Sequence, residues 1–105
     1  MQSLLKSTNV KMAIISETEA GGYTAVKVDL HNSPLLMLVA DKGYLMCGYL
    51  NKEVAEEQGD ATAIVRGVKE PKDLLDAKVV NMTSKAAQMG VKTGMTGREA
   101  LELMD

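Results

Sequence analysis

The chain has 105 residues, 46% of them apolar and 25% charged, which excludes a disordered segment and predicts a single domain spanning 1–105 with one core. Its net charge is −2, from 12 basic and 14 acidic residues; with no Phe or Trp and three tyrosines, it lacks the basic stripe and stacking platforms of a nucleic-acid surface. The longest apolar run, Leu35 to Ala40, is far short of the roughly 20 residues a membrane helix needs, so no membrane partner is expected. MQSLLKSTN at the start does not read as a signal peptide, and a single cysteine offers no disulfide framework, so a cytoplasmic location is expected. Eight methionines take the gap-filling place of the missing aromatics.

In chain order, the first half reads as strands. Val10, Met12 and Ile14 alternate with Lys11, Ala13 and Ile15, and Val26, Val28 and Leu30 alternate with Lys27 and Asp29, the period of half-buried strands. Turn chemistry follows at Glu19–Gly22, at His31–Pro34 and at Asp41–Gly43. The expectation is an antiparallel meander over 9–17, 22–30, 35–41 and 44–50.

The second half mixes helices with short strands. Asn51 is placed to cap a helix over 52–58 that Gly59 stops, and Thr62–Arg66 is a short apolar strand. Pro71 suits the first turn of a helix carrying Leu74 and Leu75, and 78–82 reads as another strand. Thr83 caps a helix ending at Gly90, and Thr96-Gly97-Arg98-Glu99 has capping-box spacing. The class predicted is α+β, an N-terminal antiparallel β-meander followed by short alternating strands and helices.

If Lys42-Gly43 forms a two-residue turn, residues opposite each other on the two central strands have numbers summing to 85. Cys47 then faces Leu38, Gly48 faces Met37, and both faces of the pair are apolar. Helices can cover one face. The other predicts a homo-oligomer assembled through the N-terminal strands.

Cys47 is the candidate catalytic residue. A nucleophilic thiol needs a base within about 3 Å. The only histidine, His31, lies about 13 Å away in this register, at about 3.3 Å per residue. The competing reading is a small buried hydrophobe, a common role for free cysteine. One Cys and one His provide no metal-ligand spacing, and no metal or cofactor is expected. Gly90–Glu99 combines glycines with a helix start, but Glu99 puts a carboxylate where an anion would sit, so helix punctuation is favoured. Gly67-Val68-Lys69 can approach a ligand or simply turn the chain. Arg66 and Arg98, the only arginines, are expected to pair with acids such as Asp60 or Glu99.

GYLMCGYLN (43–51), GV (67–68) followed by DLLDAKV, and AAQMGVKTGMTGREALELM together resemble the YunC-like family, a small domain-of-unknown-function family. The resemblance covers most of the chain from about Pro34 onward. It implies an α+β domain whose N-terminal β region forms a tetramer, and it implies no reaction. Family-like positions Tyr44, Gly48 and Arg98 are the candidate ligand contacts; His31 and Arg66 fall outside the pattern. The function expected is a small homo-oligomeric structural, interaction or small-ligand-binding protein, the alternative being an enzyme or redox-sensitive protein using Cys47 at a site shared between subunits.

Overall fold

The computed structural model describes residues 22–105 and the backbone of one earlier strand, Ile14–Glu17. Six strands form one sheet in sequence order: β1 (Ile14–Glu17), β2 (Thr24–Asp29), β3 (Pro34–Val39), β4 (Tyr44–Met46), β5 (Thr62–Ile64) and β6 (Asn81–Met82). Helices α1 (Lys52–Gln58), α2 (Asp73–Asp76), α3 (Ser84–Gln88) and α4 (Gly97–Leu103) follow β4, β5 and β6 in the second half. The expected α+β class and the antiparallel meander of β1–β4 are both present. Beyond it, β4 pairs with β5 in parallel across the α1 crossover, and β6 returns antiparallel. Among the described residues no helix is long and apolar enough to cross a membrane. Residues 9–13 of the expected first strand, and most of the Glu19–Gly22 turn, lie outside the described residues.

Local chemistry sets the helix ends. Asn51 Oδ1 accepts from the N–H groups of Glu53 and Val54 at 3.0 and 3.3 Å, and Gly59 closes α1 in the left-handed conformation at φ 79°. Thr96 and Glu99 form the reciprocal capping box: Thr96 N–H donates to Glu99 Oε1 at 2.8 Å, and Glu99 N–H donates to Thr96 Oγ1 at 3.2 Å. Those bonds hold the Glu99 carboxyl below its ordinary range, and they leave no room for an external anion at this helix start.

The register of the central hairpin differs from the expectation by two residues. Leu38 pairs with Leu45 and Met37 with Met46, so paired numbers sum to 83. The two-residue turn is Asp41-Lys42, closed by Ala40 N–H donating to Gly43 O at 2.9 Å. Gly43 is excluded from the turn by a tertiary contact: a Cβ there would stand 2.6 Å from Ala61 O and 2.7 Å from Met104 Sδ. Lys42 N–H and Tyr44 N–H fix the corner further, on Met104 O at 2.7 Å and Ala61 O at 3.0 Å. Cys47 therefore lies opposite Leu36, not Leu38.

A shift of two leaves every side chain on its expected face. Leu36, Leu38, Leu45 and Cys47 are buried, whereas Leu35, Met37 and Val39 are half-buried. Leu74, Leu101 and Met104 complete the core against the buried face. All three residues of β5 are buried, so that strand is covered on both sides. Several strands are shorter than expected, β2 and β5 by a few end residues and β4 and β6 by more than half. β4 ends at Met46 because Leu50 N–H donates to Cys47 O and turns the chain; β6 is confined to 81–82 because Lys78 bridges to Thr96 and Val79 N–H is drawn to Met95 O.

Candidate functional site

The parallel pair β4–β5 sets the site. Its ladder ends where Val65 N–H donates to Met46 O at 2.9 Å. Beyond that bond β4 folds into the Cys47–Leu50 turn, and β5 leaves through Gly67 at φ 75°, a left-handed conformation that glycine adopts without strain. The two carboxyl ends diverge and open a cavity of about 620 Å³. A crevice at the carboxyl ends of parallel strands is the usual place for a ligand in open α/β sheets, and this volume lies in the range of small-molecule pockets.

Cys47 and Gly48 line one wall, Arg66 and Gly67 the next, and Val68 and Lys69 continue it. Lys27 of β2 and residues 32–34 close the far side. Cys47 is 5% exposed. Its N–H donates to Leu36 O at 3.1 Å, and its Sγ accepts from Leu36 N–H at 3.3 Å, which ties both ends of the residue to β3. The thiol is thus a nearly buried part of the wall. His31 is not on the lining; it lies in the β2–β3 turn, next to Asn32 and Ser33, which are. Among the described residues no Asp, Glu or His lines the cavity, so none of them offers the thiol a side-chain base of those kinds. Among the described residues no group of three potential metal ligands occurs.

The expected pairing of Arg66 is not found. Asp60 accepts the Tyr44 hydroxyl at 2.9 Å, Glu99 is committed to the cap of α4, and the ion pair among the described residues is Lys27–Glu70 at 3.2 Å. Arg66 instead lies across Gly48, where a Cβ would meet its Nε at 3.7 Å and its Cγ at 3.8 Å. Gly48 is open to the extent that one methyl fits and a longer side chain displaces the arginine. Arg66 and Gly48 also border a second hollow of about 380 Å³ with Lys52 and Asn81, so the guanidinium stands on the ridge between the two.

Of the expected site residues, the fold brings Cys47 and Gly48 together and leaves Tyr44 and Arg98 elsewhere. Tyr44, at the opposite end of β4, faces a separate hollow of about 290 Å³ with Asp60 and Lys85. Burial, reinforced by its hydrogen bond to the Asp60 carboxylate, pushes its phenol up to about 12. That neutral hydrogen-bonded phenol stabilises the fold below the ordinary tyrosine range near 10, and the contribution is lost as pH rises through about 12. Arg98 is exposed on the first turn of α4; its charge opposes the upward push that burial, Asp105 and Glu102 exert on Tyr23. Sequence reasoning missed Lys27, Arg66 and Lys69 as a group. The available signal was Arg66-Gly67 directly after an apolar strand, but its nearness to Gly48 needs the parallel pairing.

The family profile described as "Domain of unknown function (DUF1805)" matches residues 46–104, from the last residue of β4 through α4. The uncharacterised protein YunC of Bacillus subtilis is 38% identical over 87 residues, which cover 79% of this chain and 86% of YunC. A crystal structure of a protein of unknown function, TA1206 from Thermoplasma acidophilum, is similar with a TM-score of 0.80 and 41% identity, covering 90% of this chain and 94% of that one. The matched segment contains Cys47, Gly48 and the whole Arg66–Lys69 wall. The chain belongs to this family, the domain of unknown function DUF1805.

Proposed function

We propose that the protein is a self-assembling small-ligand-binding protein whose binding site is the cavity at the carboxyl ends of β4 and β5. One observation carries this reading: a cavity of about 620 Å³ opens where a parallel pair diverges, walled by both polar and apolar groups. Ligand binding needs no base beside Cys47, and none of the Asp, Glu or His kind lines the cavity among the described residues.

Assembly is supported by the second face of the meander. Val26, Val28, Leu35, Met37 and Val39 are all half-buried, and the pairings Val26–Met37 and Val28–Leu35 place them on one side of β2 and β3. A partner copy, as in a tetramer built through these strands, would remove that apolar surface from water. Light scattering over a range of concentrations tests it. A mass of four chains, falling when Met37 is replaced by lysine, is the expected result; a stable monomer at every concentration contradicts it.

A second reading, thiol chemistry at Cys47, is favoured by the placement of that residue in the cavity wall. The two readings separate by thiol labelling of the native protein. Binding alone predicts slow modification of a thiol only 5% exposed. Rapid labelling that rises steeply with pH below the ordinary cysteine range supports a reactive thiol instead.

A further inference from the structure

The charges around the cavity narrow the ligand class. Three cationic side chains, Lys27, Arg66 and Lys69, line it, and among the described residues no acidic one does. The nearest acids are already placed. Glu70 pairs with Lys27 at 3.2 Å through both carboxylate oxygens. Asp73 accepts from the N–H groups of Lys69 and Glu70 at 3.1 and 3.0 Å, bonds that hold its carboxyl below the ordinary range. Asp29 lies two residues beyond Lys27 on the same face of β2, outside the lining. The sequence before β1 contains no Asp or Glu; Glu17 is in register with Thr24, three positions back from Lys27, and Glu19 lies outside the described residues. Arg66 and Lys69 therefore present positive charge to the cavity with no ion-pair partner among the described residues.

Backbone donors stand beside them. The Cys47–Leu50 turn closes through Leu50 N–H, which leaves the N–H groups of Gly48 and Tyr49 outside the turn's own bond and on the lining segment. The Arg66 side chain lies over Gly48, in the same chain segment as those groups. A planar fork of donors beside backbone N–H groups is complementary to an oxyanion, which accepts two parallel bonds from arginine. The volume exceeds that of a bare anion, and the rest of the wall offers Pro34, Val68 and the ring of Tyr49.

We propose that the cavity takes a small organic oxyanion, with its carboxylate or phosphate group on Arg66, Lys69 and the 48–49 backbone and its body against Pro34, Val68 and Tyr49. This rests on the binding reading above and adds the charge of the ligand. The probes are four molecules sharing one ring: benzoate, phenyl phosphate, neutral benzamide and cationic benzylamine. Binding is read from the amide resonances of Gly48 and Tyr49 at low salt, in the wild type and in Arg66→Gln, Lys69→Gln and Arg98→Gln.

The expected result is that both anions shift these amides, with benzamide at least about tenfold weaker and benzylamine weaker still. Arg66→Gln weakens the anions by about tenfold or more, as loss of a charge-assisted pair does. Lys69→Gln weakens them less, and Arg98→Gln leaves them unchanged because that arginine lies outside the cavity. All three side chains are exposed, so the variants keep the fold. Benzamide or benzylamine binding as tightly as benzoate overturns the anion assignment and leaves the cavity a binding site. An equal loss in Arg98→Gln also overturns it, since net charge alone would then explain the effect. If none of the four probes moves Gly48 or Tyr49, both the anion assignment and the binding reading fall. A carboxylate-only or phosphate-only response supports the proposal and identifies the head group.

Discussion

Gly97→Ala is expected to destabilise the protein by about 3 kcal/mol or more, a large share of the 5–15 kcal/mol that holds a domain of this kind together. The sign is the informative part. Gly97 is the first residue of α4, with a negative φ, and helix propensity alone favours alanine there by about 1 kcal/mol. Packing opposes it. An added methyl would overlap the Leu74 carbonyl oxygen of α2 and stand 2.6 Å from Leu45 Cδ2 of β4. The obstacle is backbone on one side and a fully buried side chain on the other, so neither can swing aside. Gly97 N–H also donates to Ala77 O at 2.8 Å, which fixes the start of the helix against the end of α2. The clash must be relieved by moving α4 off the sheet, which exposes Leu101 and Met104. Urea denaturation measures it: the midpoint should fall markedly, and an unchanged or higher midpoint would show that propensity outweighs the packing.

Thr83→Val is expected to cost about 3 kcal/mol with almost no change of volume. The Thr83 hydroxyl is 1% exposed at the residue level and serves three backbone groups. It donates to Asp60 O at 2.7 Å and accepts from Thr62 N–H at 3.1 Å and Ala86 N–H at 3.4 Å. These bonds join the turn before β5, β5 itself and the first turn of α3. Valine keeps the shape and leaves two buried backbone N–H groups and one partly buried carbonyl without that partner, each buried unmade hydrogen bond worth about 1–3 kcal/mol before water re-enters. Thr83→Ser retains the hydroxyl and should lose about 1 kcal/mol, the contribution of one methyl. Equal losses in the two variants by thermal or chemical unfolding would mean that packing of the methyl, not the hydroxyl, is what matters at this position.

Those two positions also mark how far the sequence is readable. The caps at Asn51, Thr83 and Thr96 are visible because their chemistry is local: the capping side chain and the N–H it serves are two or three residues apart. The meander and its two apolar faces follow from alternation, which a register error of two residues does not disturb. The register itself is not local. Asp41-Lys42 and Lys42-Gly43 both satisfy turn chemistry, and the choice is made by Ala61 and Met104 pressing on Gly43 from far along the chain. The parallel pairing of β4 with β5 is likewise invisible to periodicity, because it depends on how the α1 crossover returns. Without that pairing Arg66 is an isolated arginine at a strand end. With it, Arg66 lies over Gly48 beside Cys47, and a residue outside the resemblance pattern becomes an exposed charge on the candidate site.

Cys47 illustrates the same limit from the other side. Its burial was legible from its place among apolar neighbours. That it also lines a cavity was not, because the cavity exists only where two strands part. Gly43, Gly48 and Gly97 look alike in sequence and differ in consequence: a Cβ collides with backbone at the first and last, and meets only the flexible Arg66 at Gly48.

Ligand binding at the carboxyl ends of β4 and β5 is tested by an amide chemical-shift map of the whole protein against a small-fragment library of mixed charge. Perturbed residues are expected to cluster at 47–49 and 66–69, the two chain segments leaving β4 and β5. Perturbations confined to the Tyr44–Asp60 hollow, or scattered without a cluster, would contradict it.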